Sequence, residues 1–515
     1  MPVADLILKN ASVITVDPGQ PTAELVGIKG DKILLVADNE SLGSVRGVKS
    51  KVIDCQGKTV VPGFNDAHCH IFSFLRKLLS IDLSPSSASS ISDIKAAISQ
   101  KAENTPGGQW ITGTDYNDFY LAEKRHPTRW DIDEVAPNHP VVLSHRSLHA
   151  CVLNSLALSL AGITRETEEP PGGVIDRDLN SGEPSGLLIE MLGHIREKVM
   201  PSLTEAELTK SVTLANNHYL SQGITSLQDA TVVNDFSRWQ KFHHFKATGK
   251  LESRVCMMPG IEALSQFREA GLTFGSGDNQ LRLGGTKMVL NEATGELYPP
   301  QRELNQRVFE ASRAGFQLAI HAVRQSSVEA TIVALENAQR QLPQAARRHR
   351  IEHCSECPPR LLERLKKLQA VVVTQPPFLY YSGARYLSLM PADQLRWLYR
   401  FKSFLESGLI VAGSSDSPVV PDNPLVGIYA AVTRQAESEQ PLLPQESISP
   451  SQALVMYTTN AAYASFEEEI KGSITQGKLA DMVVLSDDPT KTPPEQIKDI
   501  KVEMPIIGGE VVWEA

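Results

Sequence analysis

His68 and His70 stand two residues apart at the end of an apolar run, in Asp66-Ala67-His68-Cys69-His70. Side chains alternate faces along a strand, so both imidazoles project one way and Cys69 the other. Two borderline nitrogen donors converging on one point suit Zn, Fe, Mn or Ni. The same pattern recurs: His321 closes QLAIH, His353 closes RIEH and Asp416 closes LIVAGSSD. Lys287 lies inside GGTKMVL, where an ammonium ion is costly to bury. It either snorkels to solvent or pairs with a carboxylate such as Asp229, or its pKa falls and it reacts with CO2 to give a carbamate that bridges two metal ions. These residues predict a site for one or two divalent cations, zinc first.

The elements that must position them are legible as apolar strands separated by amphipathic helical stretches. The strands are TVVPGFNDAHCH, GITSLQDA, RLGGTKMVL, GFQLAIHAV, RIEHC, AVVVTQP and GLIVAGSSDSP; QRELNQRVFEASRAG and SSVEATIVALENAQRQL read as helices. Strand–helix alternation gives a parallel sheet, and seven or eight units favour an α/β fold closed as a (β/α)8 TIM-like barrel. No G-x-G-x-x-G follows an early strand, which weakens an open dinucleotide-binding sheet. The carboxyl ends of barrel strands share one mouth, so residues far apart in the chain meet there. The other nine histidines (His126, His139, His145, His149, His194, His218, His243, His244 and His349) read as helix or loop residues with solvated or structural roles.

Residues 58–472 form the expected barrel, with a long insert at about 84–220 that is expected to cover the active site. Residues 1–57 and 473–515 share a texture of short alternating strands and are expected to build one small β-sandwich from both termini.

Composition narrows the partners. The 515 residues are 41% hydrophobic and 21% charged, as in ordered globular proteins, with a net charge of −10. Nucleic acid is a poor partner for such a surface, and Arg347, Arg348 and Arg350 read as a solvated helix end. The amino terminus alternates like a strand and lacks the basic and apolar regions of a signal peptide, and no apolar run is long enough to span a membrane. The six cysteines read as reduced thiols, and Cys354-x-x-Cys357 has no second pair with which to hold a structural zinc. A cytoplasmic address is expected.

DAHCH, the strand lysine, IHAV, RIEH and GSSDSP together resemble the amidohydrolase superfamily, in particular its YtcJ-like branch, which includes N-substituted formamide deformylases. The likeness runs nearly the whole chain, from ADLILKNASVITVD through GGVIDRD to GSITQGKLADMVVL. It implies the barrel with its β-sandwich, one metal on His68 and His70, a second on His321 and His353, and Asp416 as ligand and proton carrier with Lys287 as bridge. Dimers are common in such a family, so a homodimer is expected. His149 resembles a position that reaches the substrate from the insert, and Arg324 offers a planar fork for a carboxylate. Two departures point to a divergent substrate: Val323-Arg324-Gln325 follows His321-Ala322 where many relatives have H-A-x-G-D, and Asn291-Glu292 follows the lysine strand where many have Asp-Gly.

The expected reaction on a small amide-like substrate is attack by metal-activated water, with Asp416 taking the proton and delivering it to the leaving nitrogen. A one-metal deaminase with an unmodified Lys287 is the first alternative; carbon–carbon or isomerase chemistry and a non-enzymatic scaffold are remoter ones. Ser414 and Ser415 lack a nucleophile elbow, so a serine hydrolase is disfavoured.

Overall fold

The computed structural model describes residues 3–343 and 347–515. It divides into two compact units, one of Met1–His70, Thr213–Val289 and Arg302–Ala515, the other of Ile71–Val212 and Leu290–Gln301. Among the described residues no helix is long and apolar enough to cross a membrane.

The first unit is an α/β structure with two parallel sheets. Its parallel strands are β1 (Phe64–Cys69), β2 (Ile224–Asp229), β3 (Arg254–Met257), β4 (Leu281–Leu283), β5 (Thr286–Val289), β6 (Leu318–Ala322), β7 (Arg350–His353), β8 (Val371–Thr374) and β9 (Ile410–Gly413). One sheet runs β4-β3-β2-β1 and the other β5-β6-β7-β8-β9. Backbone bonds also join the two: Lys287 N–H donates to Pro259 O at 2.8 Å, Asp416 N–H to His68 O at 2.8 Å and His70 N–H to Ser417 O at 2.7 Å.

These segments are strands because every residue of runs such as Val371-Val372-Val373-Thr374 is buried, and β-branched side chains fit a sheet covered on both faces. Ile351 sits opposite Val372, and Val372 opposite Val411, which fixes the register. The crossover helix Gln325–Gln341 buries Val328, Ile332 and Leu335 on one stripe. Helix Pro359–Leu368 opens on a proline, buries Leu361, Leu362 and Leu365, and ends at Gln369 with φ 52°. Each fully buried leucine of that stripe contributes roughly 1.5–3 kcal/mol.

Three strand readings change in detail. TVVPGFNDAHCH is two strands, because Thr59–Pro62 pairs antiparallel with Met482–Leu485 whereas Phe64–Cys69 joins the parallel sheet. Gly63 marks the change of sheet; a Cβ there would lie 2.1 Å from Thr225 Oγ1. RLGGTKMVL likewise breaks at Gly284-Gly285 into β4 and β5. Strand β3, Arg-Val-Cys-Met, is an addition: four residues without alternation carry too little signal to separate from a loop.

Both chain ends contribute to one six-stranded sheet, in which Val60 pairs with Val484. Leu8, Val26, Val60, Met482 and Ile506 share a buried cluster spanning this sheet and the four-stranded one built from Leu6–Lys9, Leu25–Lys29, Lys32–Ala37 and Lys51–Asp54. Arg254, at the start of β3, forks onto Asp481 through Nε at 2.6 Å and Nη2 at 2.8 Å, with both side chains buried.

The second unit carries a mixed six-stranded sheet in which Ile111–Tyr116 pairs parallel with Val141–His145, and Ala150–Leu153 pairs antiparallel with its neighbours. Helix Ile91–Glu103 starts from a capping box between Ser90 and Asp93. His145 ends a buried strand, not a loop as the sequence reading has it, because Val141-Val142-Leu143 carries it into the sheet.

Candidate metal centre

His68, in the last turn of the pleat of β1, is fully buried, and its Nδ1 meets the carboxylate of Glu352. Burial and the neighbouring Lys287 ammonium push the imidazole well below its ordinary pKa, so the ring is neutral. With Nδ1–H donated to Glu352, the lone pair is on Nε2, which faces Lys287 Nζ at 3.4 Å and Asp416 Oδ1 at 3.4 Å.

His353 is built the same way. Nδ1–H donates to Gln375 Oε1 at 2.8 Å, while Gln375 Nε2 donates to Ser414 Oγ at 3.0 Å and so fixes the amide. Burial pushes this imidazole down to about 4. Its Nε2 is buried without a hydrogen-bond partner among the described residues, and an unmatched lone pair inside a protein is the form a metal ligand takes.

His70 follows β1, with Nδ1 at 3.1 Å from Thr231 Oγ1 and Nε2 at 2.9 Å from Asp416 Oδ1. Asp416 lies three residues beyond β9 at φ 62°, and His353 has φ 73°, a left-handed backbone that only a firmly held chain imposes on such residues. Burial by itself raises the Asp416 carboxyl, but the His70 hydrogen bond and the imidazoles of His353 and His68 hold it below the usual carboxylate range. The His321 ring lies 4.3 Å from that of His353, centroid to centroid, and His353 lies 4.9 Å from His68. One ligand atom each from His68, His70 and Asp416 lies within 4.8 Å of the others. The four strand-end histidines, Lys287 and Asp416 thus meet in one place, and the donor set fits a divalent cation.

Lys287 is 1% exposed, and burial lowers its ammonium to about 8 against the opposing pull of Glu352 and Asp416. Arg324 is exposed at the N-cap of helix Gln325–Gln341. His149 belongs to the second unit, where Nδ1 lies 2.8 Å from Glu190 Oε1.

Several members of the centre escape the reading of the sequence. Arg350, which in the sequence reads as part of a solvated helix end, is 1% exposed within β7, where its Nε–H donates to Glu352 Oε1 at 2.7 Å and its Nη2–H to Ala67 O at 2.6 Å. It belongs to the strand because Ile351 and its neighbours are buried between β6 and β8. Asp66 accepts from Ser415 N–H at 3.0 Å and from Ser415 Oγ, tying β1 to the Asp416 segment; burial raises its carboxyl to about 7. The available signal was a charge pair two residues apart, Arg350 and Glu352, inside an otherwise apolar strand.

A profile described as the amidohydrolase family matches residues 51–513. The chain belongs to this family. Membership makes it an enzyme that hydrolyses carbon–nitrogen bonds. It is 29% identical to an N-substituted formamide deformylase from Arthrobacter pascens, across 99% of this chain and 98% of that protein. It is 28% identical to the putative amidohydrolase YtcJ of Bacillus subtilis (strain 168), across 90% of this chain and 91% of that one. The fold is shared with a solved, uncharacterized metal-dependent hydrolase from Pyrococcus horikoshii OT3, with a TM-score of 0.76 at 22% identity, covering 95% of this chain and 99% of that one.

Proposed function

We propose that this amidohydrolase cleaves the amide or formamide C–N bond of a small organic substrate at a centre holding one or two divalent cations, zinc first. The observation that carries the reading is the convergence of buried His68, His353 and Asp416 with half-buried His70, with two imidazole Nε2 lone pairs turned inward. In this reading the strands β1, β2, β3 and β5 to β9 close into a (β/α)8 barrel, which accounts for the backbone bonds joining both sheet edges. Residues 1–57 and 473–515 then form a β-sandwich domain beside it, as their shared apolar cluster supports.

His68, His70, His321, His353 and Asp416 are the residues that would hold the cations, and Lys287 is placed to join them as a carbamate. A cation bound there supplies Lewis acidity and an acidified water. Glu352 and Gln375 hold the His68 and His353 rings in the tautomer that leaves Nε2 available, the outer-shell arrangement on which metal sites depend. Asp416, kept ionised, is placed to take a proton at its carboxylate and pass it to the leaving nitrogen, with His70 fixing its orientation at 2.9 Å. Burial of His68, Lys287, His353 and Asp416 strengthens each of these interactions.

Asp416→Asn keeps the shape of the side chain and removes the base. We expect kcat on a panel of N-alkyl and N-aryl formamides and amides to fall by about 10²–10⁴-fold, with far-UV circular dichroism unchanged. Near-parent turnover would remove Asp416 from the reaction. Release of ammonia from amino-heterocycles, with no hydrolysis across the amide panel, would replace amide cleavage by deamination.

A further inference from the structure

His349, Val371 and Ile410, at the amino ends of β7, β8 and β9, line a cavity of about 730 Å³. The candidate metal ligand His353 closes the other end of β7, about 13 Å away along the strand. The cavity is therefore a separate place in the same unit, and its volume falls in the ~300–1,000 Å³ range of small-molecule sites.

Its chemistry is the reverse of the chain's. Arg347, Arg348 and Lys366 line it and, among the described residues, no aspartate or glutamate does, in a protein whose net charge is −10. Arg348 is committed elsewhere: Nη1 donates to Glu468 Oε1 at 2.6 Å, and the guanidinium lies 3.7 Å from the Tyr463 ring centroid and 4.4 Å from that of Phe466. It braces an aromatic wall, since both rings line the cavity. Arg347 is different. Its Nε is buried and has no hydrogen-bond partner among the described residues, a costly state for a guanidinium N–H. His349 Nδ1 accepts the Leu318 N–H at 3.0 Å, which leaves its ring proton on Nε2 as a second, neutral donor. Leu335 and Leu409 supply apolar surface.

We propose that this cavity is a second binding site, distinct from the metal centre, for a small carboxylate carried on an apolar or aromatic body. The planar fork of Arg347 matches a carboxylate, the Lys366 ammonium adds attraction, and the aromatic and leucine walls take the body. A bare inorganic anion would leave those walls unused.

The test is calorimetric titration of the full-length, metal-loaded protein with benzoate, with benzamide and inorganic phosphate as parallel arms. Benzoate is expected to bind, benzamide and phosphate at least about tenfold more weakly. Arg347→Gln is expected to lower benzoate affinity by about tenfold or more and Lys366→Gln by less, whereas Asp416→Asn leaves it unchanged. Arg347→Lys, which keeps the charge without the fork, should fall between, and it decides the matter with Lys366→Gln if Arg347→Gln does not fold. The proposal is overturned if benzoate does not bind, if binding ignores both cavity variants, if benzamide or phosphate binds equally well, or if only Asp416→Asn abolishes binding, which would place the benzoate at the metal centre.

Discussion

At the scale of single residues, the His68 imidazole owes its useful lone pair to Glu352, and Glu352 owes its burial to Arg350. Strict alternation along β7 would send Glu352 and His353 to opposite faces. The left-handed backbone of His353 ends the pleat, so both side chains reach the His68 ring. Glu352→Gln weakens the acceptor for His68 Nδ1–H and strips Arg350 of its counter-charge. We expect metal affinity, measured by competition with a chromogenic chelator, to drop about 10–100-fold; unchanged affinity would sever Glu352 from the centre. His349 gives a separate, pH-dependent term. Burial, aided by Arg347, pushes its imidazole down to about 4. Between that value and the ordinary ~6.5 the unfolded chain binds a proton that the folded chain refuses, so stability falls as pH drops through this window, by up to about 3 kcal/mol. Above the window nothing is gained. Urea unfolding of metal-free protein near pH 7 and near pH 4.5 should show a shallower pH dependence in His349→Gln than in the parent, and equal slopes would acquit His349.

At the scale of elements, apolar runs and their helices were legible because burial on both faces leaves a sheet strand no polar positions to confuse the pattern. The strand ends were less so. Gly63 splits one apparent run between two sheets because Thr225 approaches too closely for a side chain, a constraint set by a residue about 160 positions away. The short β3 is held by a contact still more remote in sequence, the fork of Arg254 on Asp481, 227 positions away. Removing one member leaves an uncompensated buried charge. Arg254→Met or Asp481→Asn is expected to cost about 3–5 kcal/mol in urea unfolding, and Arg254→Met with Asp481→Leu to recover much of it. Single variants as stable as the parent would show that the pair is not an anchor.

At the scale of the whole molecule, the centre draws on β1, β6, β7 and the segment after β9, so a bound cation crosslinks elements that are hundreds of residues apart in sequence. Binding restricted to the folded state stabilises it by mass action, about 2.7 kcal/mol at a hundredfold excess over Kd. Chelation is therefore expected to lower Tm by several degrees, with recovery on adding zinc or manganese. A Tm indifferent to both treatments would argue that no cation resides there.

Hydrophobic periodicity and residue type, read alone, determined the parallel α/β organisation, the β-rich character of both termini and the residues at the ends of apolar runs, since these depend on local spacing. Tertiary structure decided the rest. It alone turned Arg350 from an apparent surface cation into a buried partner of Glu352, selected the Nε2 lone pairs of His68 and His353 through Glu352 and Gln375, and left Arg347 Nε without a hydrogen-bond partner among the described residues. Protonation, tautomer and the worth of a charge depend on what surrounds a side chain, and those surroundings are assembled from segments the chain keeps far apart.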